Sequence, residues 1–176
     1  MTMKVNKGLY AKMPAKVVEF MEKETTVEYL TEPVDSKGKT MKGEIVADIR
    51  YKWNRLEATL YFTEGHENIT CRLDSVEDFK VLKYDYLLNN NKTDEAKGLE
   101  LAKEFESDFE AIRKSVKKAG YRLGLSHSVG DGLYGYWDIV MTERLFNGET
   151  FLSIWKQFIA LDNKLTNTFK ELGINF

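Results

Sequence analysis

Hydrophobic and polar positions change period repeatedly along the chain. From Gly43 to Trp53, Ile45, Ala47, Ile49, Tyr51 and Trp53 alternate with Glu44, Asp48, Arg50 and Lys52, the period-two pattern of a strand with one wet face. Leu56, Ala58, Leu60 and Phe62 repeat it after a tight connection at Asn54-Arg55. Ile69, Cys71 and Leu73 repeat it again after Glu64-Gly65-His66-Glu67. These three runs predict an antiparallel meander. Ahead of them, Thr25 to Thr31 is β-branched and aromatic with alternating Val27 and Tyr29, and predicts a first strand that Pro33 and the loop Asp35-Ser36-Lys37-Gly38 bring to an end. Pro14, before Ala15, Val17, Val18, Phe20 and Met21, suits the first turn of a short helix, since proline fixes φ and lacks a donor that is unpaired there anyway.

Between Thr93 and Ala119 the period becomes helical: Leu101, Ala102, Phe105, Phe109, Ile112, Val116 and Ala119 recur at three- and four-residue spacing, and Gly120 supplies a stop. Tyr121, Leu123 and Leu125 alternate again, Gly130-Asp131-Gly132 turns the chain, and Tyr134 to Met141 returns as an aromatic, β-branched strand, which predicts a hairpin. After Asn147-Gly148 a second long helix runs to about Leu172, with Phe151, Ile154, Trp155, Phe158, Leu161, Leu165, Phe169 and Leu172 on one stripe. That stripe either closes the core or forms a homodimer contact. Residues 75 to 90 fit a short helix or a strand, and Ser75 followed by Asp78 favours the helix. The predicted class is therefore α+β, a single domain over 1–176. An antiparallel β-meander and a later β-hairpin pack against two long amphipathic helices. The order helix, strands, helix, two strands, helix resembles the secretion-chaperone type of α+β fold, which implies a curved sheet that binds protein segments.

With 43% hydrophobic, 31% charged and 12% aromatic residues among 176, the chain has enough apolar matter for one core and too much charge between apolar runs for a membrane span. No signal-peptide pattern appears in Met1 to Met13, so a cytoplasmic protein is expected. The lone Cys71 has no internal disulfide partner, which fits a reducing compartment. A net charge of −2 provides no global cationic field, so nucleic-acid binding requires a local patch.

Two histidines and one cysteine exclude a multi-His or Cys-rich metal site. The carboxylates Glu64, Glu67, Asp74, Glu77 and Asp78 do not match an EF-hand spacing and read as solvated turns. His127 with Asp131 or Asp138 has the residue types of a base and its orienting carboxylate, although a hairpin histidine bonded to backbone or water is the simpler reading. Ser126-His127-Ser128 is not a nucleophile pair, because neighbours in a strand face opposite ways. Gly130 to Gly135 lacks the lysine of a P-loop and the context of a dinucleotide site. Cys71 shares the apolar parity of Ile69 and Leu73, as a small buried hydrophobe does. No catalytic set, metal site or cofactor is predicted.

Tyr51, Trp53, Tyr61, Phe62, Tyr134, Tyr136 and Trp137 are interleaved with Arg50, Lys52, Arg55 and Arg122, the composition of a protein interface or of a stacking platform. Trp53 and Arg55, at a strand end and turn, are expected to be exposed. The expectation is a non-enzymatic protein-binding module, an adaptor, chaperone-like protein or inhibitor, including the kind that mobile elements encode to block a host enzyme. It grips another protein through a sheet face, a sheet edge or the hairpin 121 to 144. The expected binding residues are Arg50, Trp53, Arg55, Arg122, His127, Asp131, Tyr134 and Tyr136. The alternatives are a small-molecule or nucleotide binder with a pocket between sheet and C-terminal helix, using Arg122, His127 and Asp131, and a single-stranded nucleic-acid binder.

Overall fold

Period-two alternation becomes one six-stranded antiparallel sheet, in the order β1-β2-β3-β4-β6-β5. The computed structural model describes residues 5–54, 56–73, 95–130 and 132–173, with the side chains of 95, 98, 102, 125–130, 132–136 and 169 outside the description. The segment 75–90, for which a helix was favoured, and residues Arg55 and Asp131 lie outside the described residues. A 3-10 turn, Lys7–Lys12, leads into α1 (Ala15–Glu24), β1 (Thr25–Thr31), β2 (Glu44–Tyr51), β3 (Glu57–Thr63) and β4 (Asn68–Leu73). Then come α2 (Glu95–Lys118), the hairpin β5 (Arg122–Gly130) and β6 (Gly132–Thr142), and α3 (Gly148–Glu171). The α+β class and the meander-plus-hairpin order are those the sequence predicts, and the sheet is open.

Local chemistry sets the joints. Pro14 sits at the cap rather than inside the first turn of α1, where its carbonyl accepts from the backbone of Val17 and Val18 at 2.9 and 3.1 Å. α1 passes straight into β1, and its carbonyl end is closed by the buried Thr25 Oγ1, which donates to Met21 O at 2.6 Å. Lys52 Nζ donates to Glu22 O and Lys23 O at 2.7 and 2.9 Å, a cation on the negative end of the helix dipole. Gly120, at φ +79°, ends α2 in the left-handed conformation that glycine adopts without strain. Asn147 Oδ1 accepts from Thr150 N at 2.9 Å and opens α3.

One expectation changes. Val27 and Tyr29 do not share a face, because the register slips between them: Val27 pairs Ile49 while Tyr29 pairs Asp48. The bulge at Glu28 turns Tyr29 to the polar face and sends Leu30, fully buried, to the core. The hairpin is also longer than its alternation suggests, and its second strand is the one inserted against β4, which leaves β5 at the sheet edge.

One face of the sheet carries the core. Ile45, Ala47, Ile49 and Tyr51 of β2, Ala58, Leu60 and Phe62 of β3, Ile69, Cys71 and Leu73 of β4 and Trp137, Ile139 and Met141 of β6 are buried there. Against them lie Phe105, Phe109, Ile112 and Val116 of α2 and Phe151, Ile154, Trp155, Phe158 and Leu165 of α3. Trp155 meets Tyr51 edge-on at 3.5 Å between ring centroids, and Phe109 meets Trp137 at 4.4 Å. Phe20 of α1 closes the end of the layer, edge-on to Phe146 and Phe151 at 5.9 and 5.3 Å. From Phe151 to Leu165 the apolar stripe of α3 is thus spent on the chain's own core. No helix among the described residues is long and apolar enough to cross a membrane.

Phe158→Ala, at a fully buried position, is expected to lower unfolding stability by about 3–5 kcal/mol in urea denaturation, through lost transfer energy and the cavity left behind. A loss under about 1 kcal/mol would show that α3 does not seal the core.

Candidate functional site

Strand register builds a row of polar residues across the second face. Tyr29, Asp48, Thr59, Arg72, Asp138 and Gly124 stand opposite one another in sequence, one from each strand. Thr59 Oγ1 donates to Asp48 Oδ1 at 2.9 Å. Arg72 grips Asp138 with two hydrogen bonds, Nε to Oδ1 at 3.0 Å and Nη2 to Oδ2 at 3.2 Å, and its guanidinium lies 5.4 Å from the Tyr61 ring centroid. In the next row Arg50 sits between Glu28, at 3.1 Å, and Glu57. The β1 bulge matters here, because the extra residue is Glu28 itself. Thr59 and Asp138 are only 7% and 8% exposed.

The guanidiniums of Arg50 and Arg72 are therefore met by carboxylates. Arg50, expected as a binding residue, takes part in the sheet's own ion pairs with Glu28 and Glu57. The row went unread in the sequence, apart from Asp138. Its polar positions follow from alternation, but their alignment depends on five registers that no local pattern supplies.

Trp53 lies at the end of the other face. β2 stops at Tyr51, so Trp53, which extends the apolar alternation in sequence, falls in the turn and is 47% exposed. It is nevertheless held. Its ring lies on Tyr51 at 4.7 Å between centroids, and Lys156 Nζ of α3 sits 5.5 Å from its centroid. Lys52, its chain neighbour, is anchored on the α1 carbonyls, and Asn54 Oδ1 accepts from Leu56 N at 2.9 Å. Beneath it Tyr51 is buried, which pushes its hydroxyl pKa far up and keeps it neutral. That hydroxyl has no hydrogen-bond partner among the described residues.

The remaining expected residues belong to the hairpin. Arg122 is exposed and pairs Val140. His127 pairs Gly135, while Tyr134 and Tyr136 take the positions opposite Ser128 and Ser126. Five residues of strand, about 16 Å, separate Arg122 from His127, and their positions alternate. Asp138 is opposite Gly124, three residues from His127, and is engaged by Arg72. The strand register thus does not bring Arg122, His127 and Asp138 together.

The layer between sheet and α3, expected by one reading to hold a ligand, is filled by Tyr51, Trp155, Phe151 and Phe158. Surface hollows lie elsewhere, one between α1 and the start of α3 over Phe20, Phe146 and Leu152, another beside Lys12, Glu64, His66 and Glu143. Among the described residues no three His, Cys, Asp or Glu side chains gather as metal ligands. Cys71 is fully buried.

Asp138→Ala strips the partly buried Arg72 of its two-point partner and is expected to cost roughly 2–3 kcal/mol in urea denaturation, less than a deeply buried pair because Arg72 keeps contact with water. Asp48→Ala, which removes one neutral-donor hydrogen bond, should cost about 1 kcal/mol. Equal losses would mean that the Arg72 pair contributes nothing special.

Comparison with known proteins assigns no family: no protein-family model matches the chain, and no curated protein matches it. Among solved structures, the chain is similar to the crystal structure of an uncharacterized protein from Methanothermobacter thermautotrophicus, with 11% identity and a TM-score of 0.40 over 88% of this chain and 94% of that one.

Proposed function

We propose that this chain is a non-enzymatic protein-binding module whose contact surface is centred on Trp53. The observation that supports this reading is the combination of exposure and restraint at that residue: the indole is 47% exposed, yet Tyr51 lies against one side and Lys156 reaches over the ring. An aromatic group already ordered before binding loses little conformational entropy when a partner covers it. Tryptophan is also among the residues that most often dominate interface energies. The charges of Arg50 and Arg72 are met within the sheet, which leaves these two guanidiniums less suited to phosphate groups. Adaptor, chaperone-like and inhibitor roles are all forms of this activity. Action in the cytoplasm belongs to the same proposal, supported by a single cysteine, buried and with no second cysteine to pair with in this sequence.

The test is an affinity pull-down of the tagged chain from its native cytosol after nuclease treatment, followed by titration of the captured protein. Trp53→Ala is expected to weaken binding by about 30- to 1000-fold, the range of an interface hot spot. Its thermal midpoint should stay within a few degrees of wild type, because the side chain is half in solvent. Full binding by the variant, or the absence of any stoichiometric protein partner, contradicts the proposal.

A further inference from the structure

The two edges of the sheet are built differently. At the β1 edge, Val5 forms a parallel bridge with Leu30, Asn6 N donates to Leu30 O at 3.0 Å, the bulge at Glu28 interrupts the ladder and Pro33 follows the strand. These are the devices by which natural sheets prevent further strand addition. At the other edge, among the described residues, β5 has none of them. It runs nine residues, Arg122–Gly130, in unbroken register with β6 from Arg122↔Val140 to Gly130↔Gly132. It contains no proline, and Arg122 is its only charge. Among the described residues no strand lies on its outer side.

The far half of the hairpin adds a second demand. Among the described residues β4 is in register with β6 only from Trp137 to Thr142, and within them positions 126–130 and 132–136 form a two-stranded ribbon beyond the main sheet. Two strands alone are marginal in water, and a third or fourth strand is what stabilises such a ribbon.

We infer that the β5 edge pairs with the β5 edge of a second copy of this chain, antiparallel about a two-fold axis at Ser126. The strand is complementary to itself in that register. Leu123 comes opposite Val129, Gly124 opposite Ser128, Leu125 opposite His127, and Ser126 opposite its own counterpart. The positions sum to an even number, so every residue meets one of its own face and the two core faces join into one. Arg122 meets no like charge: it comes to the end occupied by Gly130, which Asp131 follows in sequence. α2 packs beside β5, so its counterpart in the second copy flanks the same junction. The pairing is independent of the Trp53 surface. Four strand spacings, about 19 Å, separate β5 from β2, so the dimer presents two copies of Trp53 and binds a repeated partner bivalently.

The experiment is light scattering on the eluting full chain combined with one-residue cross-linking. The wild type is expected at about 41 kDa, twice its 20.4 kDa mass. Ser126→Cys is expected to give a disulfide-linked dimer on mild oxidation, because directly opposed residues in an antiparallel pair stand about 4.5–5.5 Å apart, within disulfide reach. Ser128→Cys, opposite Gly124, should not cross-link. Ser126→Lys and Ser126→Glu should each be folded monomers by circular dichroism, and an equimolar mixture should return to the dimer mass. A wild-type chain that stays monomeric at about 100 μM, or a dimer that Ser126→Cys does not lock, overturns the inference. So does a β5 edge that protects its amides only when a foreign peptide is added. Trp53→Ala should leave the dimer intact, which separates this result from the fate of the protein-binding reading.

Discussion

Trp155 of α3 packs edge-on against Tyr51 at the end of β2, and the placement of everything outside the sheet on that side depends on this contact. Tyr51 and Trp155 are both almost wholly buried. Their chain neighbours are therefore delivered to the rim of the same junction: Trp53 just past the strand end, and Lys156 one residue along the helix. The aromatic seam inside fixes the pair outside, whose separation of 5.5 Å is a consequence of where α3 crosses the sheet. Phe151, one helical turn before Trp155, continues the seam to Phe20 and so brings α1 into the same layer. Lys52 completes the arrangement by tying the β2–β3 turn to the carbonyl end of α1.

The opposite face is organised by charge rather than by apolar area. The bidentate contact of Arg72 with Asp138 joins β4 to β6, two strands far apart in sequence. Arg50 joins β1, β2 and β3 through Glu28 and Glu57. Such pairs add little net stability where water reaches them, and where it does not the larger effect is the cost of removing one partner alone. Their larger effect is on register, since a one-residue slip of β4 or β6 separates Arg72 from Asp138 and turns Cys71 and Ile139 out of the core. Apolar alternation on one face and paired charges on the other thus specify the same alignment.

Much of this was legible in the chain. Alternation located β2, β3 and β4 within a residue or two, and three- and four-residue spacing located α2 and α3, because each signal depends only on which face is buried. Trp53 was legible as an exposed residue for a related reason: the strand pattern ends there and a turn begins. The bulge at Glu28 was not, since Val27 and Tyr29 have the side chains of an ordinary alternating strand and the slip is imposed by pairing with β2. Nor was the insertion of β6 between β4 and β5, which is a matter of long-range pairing. The hairpin register puts His127 and Asp138, only eleven residues apart, at alternate positions, and the insertion of β6 beside β4 is why Asp138 answers to Arg72 instead. Arg72 carried no sequence signal of its own because its partner lies on the far side of α2.

A preformed anchor requires Trp53 to be ordered while exposed, and nuclear relaxation of its indole N–H measures that property directly. An order parameter near about 0.85, that of a rigid backbone, is the predicted result. A value below about 0.6 would mean that the Tyr51 and Lys156 contacts do not hold the ring, and would contradict the reading of this surface as a preformed anchor.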